Sequence, residues 1–162
     1  MKIRHYLLAM LVAATAIVRP ATAAEIDFSK AITIGSGPKT VVEFTDPDCQ
    51  FCRKASKYFE GRSDVTRHIF FYPLPRHLKA KEKAQFVLSM PDKGRAYHDV
   101  MSGKMDSTPL PAPTPAGVRL QEQQRAIAKG LKVDATPTFM INGRIIEGFD
   151  LKKIEEALGG KQ

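Results

Sequence analysis

Cysteine is almost absent: among 162 residues only Cys49 and Cys52 carry a thiol. A bond between them closes too short a loop to constrain the unfolded chain appreciably, which removes stabilisation as their purpose. No second Cys-x-x-Cys and no paired histidine accompany them, so the four ligands that a zinc site usually takes are missing and no metal is expected. Repeats and low-complexity tracts are lacking too, apart from one loop carrying Pro109, Pro111, Pro113 and Pro115. No apolar run reaches the roughly 20 residues of a membrane span. The longest, residues 6 to 18, follows Lys2 and Arg4 and leads to the small residues Ala21-Thr22-Ala23. That order reads as a secretory signal peptide over residues 1–24, leaving residues 25–162 as one domain without a stable membrane anchor.

What is present points to redox chemistry. Export changes the meaning of two cysteines, because an oxidising compartment is where thiol pairs become disulfides or make them in other proteins. Processing removes Lys2, Arg4 and Arg19, so 25 basic residues fall to 22 against 17 acidic ones, a net charge of +5. These cations are scattered through helical stretches and form no stripe, so nucleic acid is not an expected partner.

The local pattern frames the cysteines. Residues 41 to 45 are strand-like, and Pro47-Asp48-Cys49 opens a helix reaching about Gly61. Positions three apart share a helix face within disulfide reach. Cys49, at the helix start, faces unsatisfied amides that favour its thiolate and make it the attacking sulfur. Helix-end effects shift a pKa by roughly one unit from about 8.5, toward neutrality. Hydrogen bonds from the Cys52 thiol and nearby amides act in the same direction, while Asp46 and Asp48 oppose them by charge. Cys52, one turn further in, is the buried resolving sulfur.

Further along, residues 65 to 72 form a second strand, stopped by Pro73 and Pro75. Residues 79 to 90 and a segment capped at Pro91-Asp92 are helical. The proline loop spans 107 to 117, and an amphipathic helix over 118 to 129 closes at Gly130. Residues 138 to 141 and 144 to 147 flank Asn142-Gly143, the strongest two-residue hairpin signal. Asp150 caps a last helix to Leu158.

Three parts of the chain carry a family resemblance. They are Phe44-Thr45-Asp46-Pro47-Asp48-Cys49-Gln50-Phe51-Cys52, Tyr72-Pro73-Leu74-Pro75-Arg76, and Gly94-Arg95-Ala96-Tyr97-His98-Asp99-Val100-Met101. With Ala135-Thr136-Pro137-Thr138-Phe139 at the hairpin entrance, they resemble the catalytic domain of DsbC/DsbG-type periplasmic disulfide isomerases over residues 39 to 158. The likeness is to that domain alone. The N-terminal dimerisation domain of that family has no counterpart, because about fifteen residues separate the expected cleavage site from the first expected strand.

The resemblance implies an α/β, thioredoxin-like fold with a helical insertion between the strand after the CxxC helix and the cis-Pro hairpin. It implies that Cys49 is the nucleophile, Cys52 the resolver, and Thr136 and Pro137 a substrate-facing loop with Pro137 cis. Backbone groups there pair with an extended substrate strand, giving sequence-tolerant binding. The implied setting is the periplasm, with unfolded or wrongly disulfide-bonded exported proteins as substrates. A membrane electron donor of the DsbD type is the implied reductant, and no cofactor is needed beyond the Cys49-Cys52 disulfide.

Two further residues complete the expected site. Glu43 interrupts the apolar run six residues before Cys49, where a buried acid would take the proton from Cys52 during resolution; solvent exposure on a half-buried strand is the competing expectation. Phe51 offers apolar surface to unfolded chains, with core packing as the alternative. Arg53 and Lys54 read as a solvated helix face, with thiolate stabilisation or steering of acidic substrates as the alternative, and His77 reads as a surface or hydrogen-bonded histidine rather than a ligand, with the border of the site as its alternative place. Three other functional readings stand beside isomerase or reductase work: a DsbA-type dithiol oxidase, a CxxC protein holding copper or zinc, and a non-redox chaperone or scaffold holding unfolded chains.

Overall fold

The computed structural model describes residues 26 to 160, so the expected signal peptide lies outside the described residues. After a 3-10 turn (Phe28–Lys30), the elements are β1 (Ile32–Ile34), β2 (Lys39–Thr45), α1 (Gln50–Glu60), β3 (Val65–Phe71), α2 (Ala80–Ser89), α3 (Lys93–Met101), α4 (Pro115–Gly130), β4 (Thr138–Ile141), β5 (Arg144–Glu147) and α5 (Leu151–Ala157). One five-stranded sheet has the order β1-β3-β2-β4-β5. β2 and β3 run parallel, while β1, β4 and β5 join antiparallel to their neighbours.

Strand β2 is central and buried from Val41 to Thr45, as expected for a near-continuous apolar run covered on both faces. Its alternation sorts the core. Val41 meets Ala55 and Phe59 of α1 and Ile154 of α5, whereas Val42 and Phe44 meet Phe70 and Ala128 of α4 on the opposite face. The phenyl groups of Phe44, Phe70, Phe71 and Phe139 are fully enclosed, each contributing about 1.5 to 3 kcal/mol relative to an exposed ring. A third cluster joins Cys49 and Cys52 to Ile69, Phe71, and residues of α2 and α3. The helical insertion therefore forms one wall of the site.

The hairpin is as the sequence predicts: Asn142 (φ 48°) and Gly143 (φ 75°) both take positive φ, as a type I′ turn requires. Asp150 accepts from the Lys153 amide at 3.2 Å and starts α5. Three local expectations differ. The lead-in contains β1, the true first strand, whose three residues are too few to show an alternating pattern. Helix α4 begins at Pro115, inside the expected proline loop, because a proline in the first turn sacrifices no hydrogen bond and Thr114 caps it through the Gly117 amide. Gly130 remains within α4, and the left-handed residue is Lys132, φ 59°.

Candidate active site

The end of β2 delivers the chain into a tight loop, Asp46-Pro47-Asp48, that sets Cys49 at the N-cap of α1 rather than inside its first turn. Asp46 organises this loop. Its side chain is fully buried; Oδ1 accepts from the Asp48 amide at 2.8 Å, and Oδ2 accepts from the Leu74 amide at 2.7 Å and lies 2.9 Å from His77 Nδ1. The backbone carbonyl of Asp46 accepts from the Cys49 amide at 3.1 Å. An aspartate that hydrogen-bonds the amide two residues on is a sequence-legible turn signal. By charge alone, Asp46 reads only as an opponent of the Cys49 thiolate.

Both cysteines are free thiols. Cys49 retains 5% of its surface and Cys52 none, so access to the Cys49 sulfur is narrower than a helix-start position alone suggests. Cys49 Sγ donates to the carbonyl of Thr136 at 3.4 Å, joining residues 87 apart in sequence. The Thr136–Pro137 peptide bond is cis. Pro137's own carbonyl is engaged by the Gly148 amide at 2.7 Å, which ties the loop to the hairpin.

The two sulfurs have opposite electrostatics. Cys49 is lowered to about 6, chiefly by a hydrogen bond from the Cys52 thiol, with help from the Cys52 and Phe51 amides. Burial and the Asp46 carboxylate act against this and are outweighed. Cys52 is pushed far up, first by burial and then by its thiol's bond to the Cys49 thiolate. The Thr45 hydroxyl works the other way on Cys52, and Thr45 is itself fully buried. Thr45 was not singled out from sequence, where it reads as an ordinary strand residue.

Glu43 lies on the same face of β2 as Thr45 and is completely buried, which removes the solvent-exposed alternative. It is also engaged. Arg67 of β3, 4% exposed, donates to Glu43 Oε2 through Nη2 at 2.6 Å and Nε at 3.1 Å, and to the Tyr97 hydroxyl at 2.8 Å. Its guanidinium also stacks near the rings of Phe59 and Tyr97. The lone buried acid expected from sequence is thus half of an ion pair, with Oε1 without a hydrogen-bond partner among the described residues. Arg67 has a sequence signal in the alternation of β3, where it takes the inward position between Val65 and Ile69.

Phe51 is 48% exposed on the first turn of α1, with Lys54 Nζ 5.2 Å from its ring centre, so it presents surface rather than packing inward. The structure brings Cys49, Cys52 and Thr136 together and places Phe51 on the helix that carries both thiols. Arg53 departs from the expected solvated face: Nε donates to the Pro47 carbonyl at 2.7 Å, and the guanidinium grips Asp106. Among the described residues no group of three or more His, Cys, Asp or Glu side chains forms a metal cage, and no helix is long and apolar enough to cross a membrane.

Comparison with known proteins gives a consistent picture. The thioredoxin-like domain family matches residues 29–154. The probable thiol:disulfide interchange protein DsbC of Bordetella avium is 30% identical over 105 residues, which are 64% of this chain and 35% of that protein. The chain thus spans about a third of the length of that relative. The crystal structure of a disulfide interchange protein from Neisseria gonorrhoeae superposes with a TM-score of 0.68 at 27% identity, covering 84% of this chain and all of that one. The catalytic domain of Proteus mirabilis ScsC shares the fold, with a TM-score of 0.60 at 20% identity over 80% of this chain and 88% of its own. With its CxxC at the start of α1 facing the Thr136–Pro137 loop, the chain belongs to the thioredoxin-like domain family, and its likeness is to the disulfide interchange proteins within it.

Proposed function

We propose that this chain is a periplasmic thiol-disulfide oxidoreductase of the isomerase or reductase type, exchanging disulfides with exported proteins through a mixed disulfide at Cys49. The observation that carries the reading is the contact of Cys49 Sγ with the Thr136 carbonyl, together with the opposed acidities of the two sulfurs. With Cys49 lowered to about 6, the thiolate is its favoured form at pH 7.

The thiolate of Cys49 attacks one sulfur of a substrate disulfide. A new Cys49-substrate S–S bond forms, the substrate S–S bond breaks, and the displaced sulfur leaves as a thiolate that takes a proton from water. Two outcomes follow. In isomerisation, another substrate thiolate attacks the mixed disulfide, releasing the Cys49 thiolate with no net transfer of electrons. In reduction, Cys52 loses its proton and attacks Cys49 Sγ, so the second substrate thiolate departs. The substrate has then gained two electrons and the protein holds a Cys49-Cys52 disulfide. Return to the dithiol needs an external dithiol, for which a membrane donor of the DsbD type is the proposed source.

The protonated, buried Cys52 suits a mixed disulfide that lives long enough for a client to rearrange. Phe51 supplies apolar surface to the client, and the Thr136–Pro137 backbone pairs with its extended strand beside Cys49. The DsbA-type oxidase is the second reading, favoured by the same raised acidity of the Cys49 thiol, since stabilising the reduced form through its thiolate makes the disulfide more oxidising.

The test has two parts. Cys49→Ser is expected to abolish refolding of a scrambled disulfide substrate, while Cys52→Ala is expected to retain isomerisation and accumulate trapped mixed disulfides. Equilibration of the Cys49/Cys52 pair with glutathione then separates the directions: a potential near that of DsbA favours oxidase work. Full activity in Cys49→Ser would remove the proposal.

A further inference from the structure

The residues immediately outside the CxxC are both held by the helical insertion. Asp48 precedes Cys49, and its Oδ1 accepts from Lys83 Nζ of α2 at 2.5 Å. Arg53 follows Cys52, and it donates to Asp106, in the loop after α3, from Nη1 at 2.6 Å and Nη2 at 2.8 Å. The two halves are joined, because Lys83 Nζ also donates to Asp106 Oδ1 at 2.6 Å and Arg53 Nη2 lies 3.6 Å from Asp48 Oδ1. Two cations and two carboxylates thus close a ring whose net charge is zero. Lys83 is 5% exposed, an unusual place for an ammonium unless it is paired.

We propose that Asp48, Lys83, Arg53 and Asp106 form a charge-balanced clamp through which the helical insertion positions the CxxC and sets the reactivity of Cys49. The inference rests on Cys49 being the reactive sulfur, as proposed above. None of the four touches that sulfur, so they are positioning residues. Their effect is mechanical and electrostatic together. The bond from Arg53 Nε to the Pro47 carbonyl fixes the loop ahead of Cys49 to the turn of α1 behind Cys52. The carboxylate of Asp48, adjacent in sequence to Cys49, would oppose a thiolate if left alone, and Lys83 cancels it.

The charges stay in place across the working pH. Arg53, through its bond to Asp106, and Lys83, through Asp106 and Asp48, are both held more firmly protonated than usual, and Asp106 lies well below the ordinary carboxylate range because of Arg53 and then Lys83. Other groups face this end of the molecule. The carboxylate that opposes the Cys49 thiolate is Asp46, which lies outside the ring and 2.9 Å from His77 Nδ1 in the loop before α2; Cys52 lies on α1, Lys54 sits over Phe51, and the Thr136–Pro137 loop contributes no charge.

A charge-balanced clamp makes a prediction of sign that simple structural support does not. Lys83→Met leaves the ring at −1, and Asp106→Asn leaves it at +1. The thiolate pKa of Cys49, read by ultraviolet absorbance in the full-length reduced protein at low salt, is expected to rise by about half a unit in the first and fall by about half a unit in the second. Alkylation rates at pH 6 should then fall to about half of wild type in the first and rise about one-and-a-half-fold in the second, placing the two variants about threefold apart. Asp106 is 40% exposed and lines an open depression of about 260 Å³, so the asparagine is accommodated without repacking.

Arg53→Gln supplies the −1 state by a second route should Lys83→Met fail to fold. The neutral pair Asp48→Asn with Lys83→Met is expected to return the pKa toward wild type. Shifts of the same sign in Lys83→Met and Asp106→Asn, or no shift in either, would overturn the clamp. The titration needs no substrate, so it stands apart from the Cys49→Ser refolding assay that judges the enzymatic reading.

Discussion

Removing the arginine of the buried Glu43–Arg67 pair is the most demanding perturbation of this fold. Glu43 has no exposed surface and Arg67 retains 4%, so Arg67→Met strands a carboxylate in the core beneath α1 and α3. Breaking such a pair from one side costs about 3 to 5 kcal/mol, because the remaining ion keeps its desolvation penalty and loses its partner. Arg67 also gives up its bond to the Tyr97 hydroxyl and its contacts with the Phe59 and Tyr97 rings. Against a total stability of about 5 to 15 kcal/mol, the variant should lose about a fifth of its stability or more. In urea denaturation the midpoint should fall by about 2 M with the slope unchanged. Glu43→Leu combined with Arg67→Met should recover most of the loss, since two apolar residues leave no stranded charge. Glu43→Gln then isolates the chemistry: it keeps an acceptor for Arg67 but cannot take up a proton from Cys52. Slower release of the mixed disulfide in Glu43→Gln would assign Glu43 to proton transfer, and an unchanged rate would leave it structural. A loss below about 1 kcal/mol for Arg67→Met would refute the buried-pair energetics.

Other outcomes follow from the sulfurs and the packing. With Cys49 lowered to about 6, thiol exchange should be about tenfold slower at pH 5 than on its plateau above pH 7, and a midpoint near 8.5 would refute the assignment. Because that pKa is depressed on folding, the reduced protein should gain stability over Cys49→Ala as pH rises from 6 toward about 8.5, and lose the advantage as pH falls through 6; chemical denaturation at stepped pH reads the sign. Cys52→Ala removes the main hydrogen bond to the thiolate, so the Cys49 titration should move up by about one to two units, and a midpoint remaining at 6 would contradict that cause. Gly117→Ala would set a Cβ 2.1 Å from Ser89 Oγ and 2.9 Å from both the Gln85 carbonyl and the Ser89 amide, where α4 crosses α2. Overpacking there should cost about 1 to 3 kcal/mol in thermal or urea melts, and an unchanged midpoint would refute the close approach.

Local sequence determined much of this protein. Asn142-Gly143 accounts for the hairpin because few residues accept positive φ at two successive positions, and Asp92, Thr114 and Asp150 start helices because each side chain satisfies an orphan amide. The Cys49-x-x-Cys52 spacing placed the two thiols a helical turn apart by backbone geometry alone. Charge pairing was invisible, because it joins residues distant in sequence. Glu43 read as a solitary acid until β3 set Arg67 against it, and Arg53 read as surface until the loop after α3 brought Asp106 to its guanidinium. The acidity of Cys49 likewise depends on how deeply α1 buries Cys52, and its nearness to Thr136 on a crossing of 87 residues. Short-range patterns could announce which side chains do the chemistry, whereas the field around each one is summed over neighbours that only the folded sheet and its helical insertion assemble.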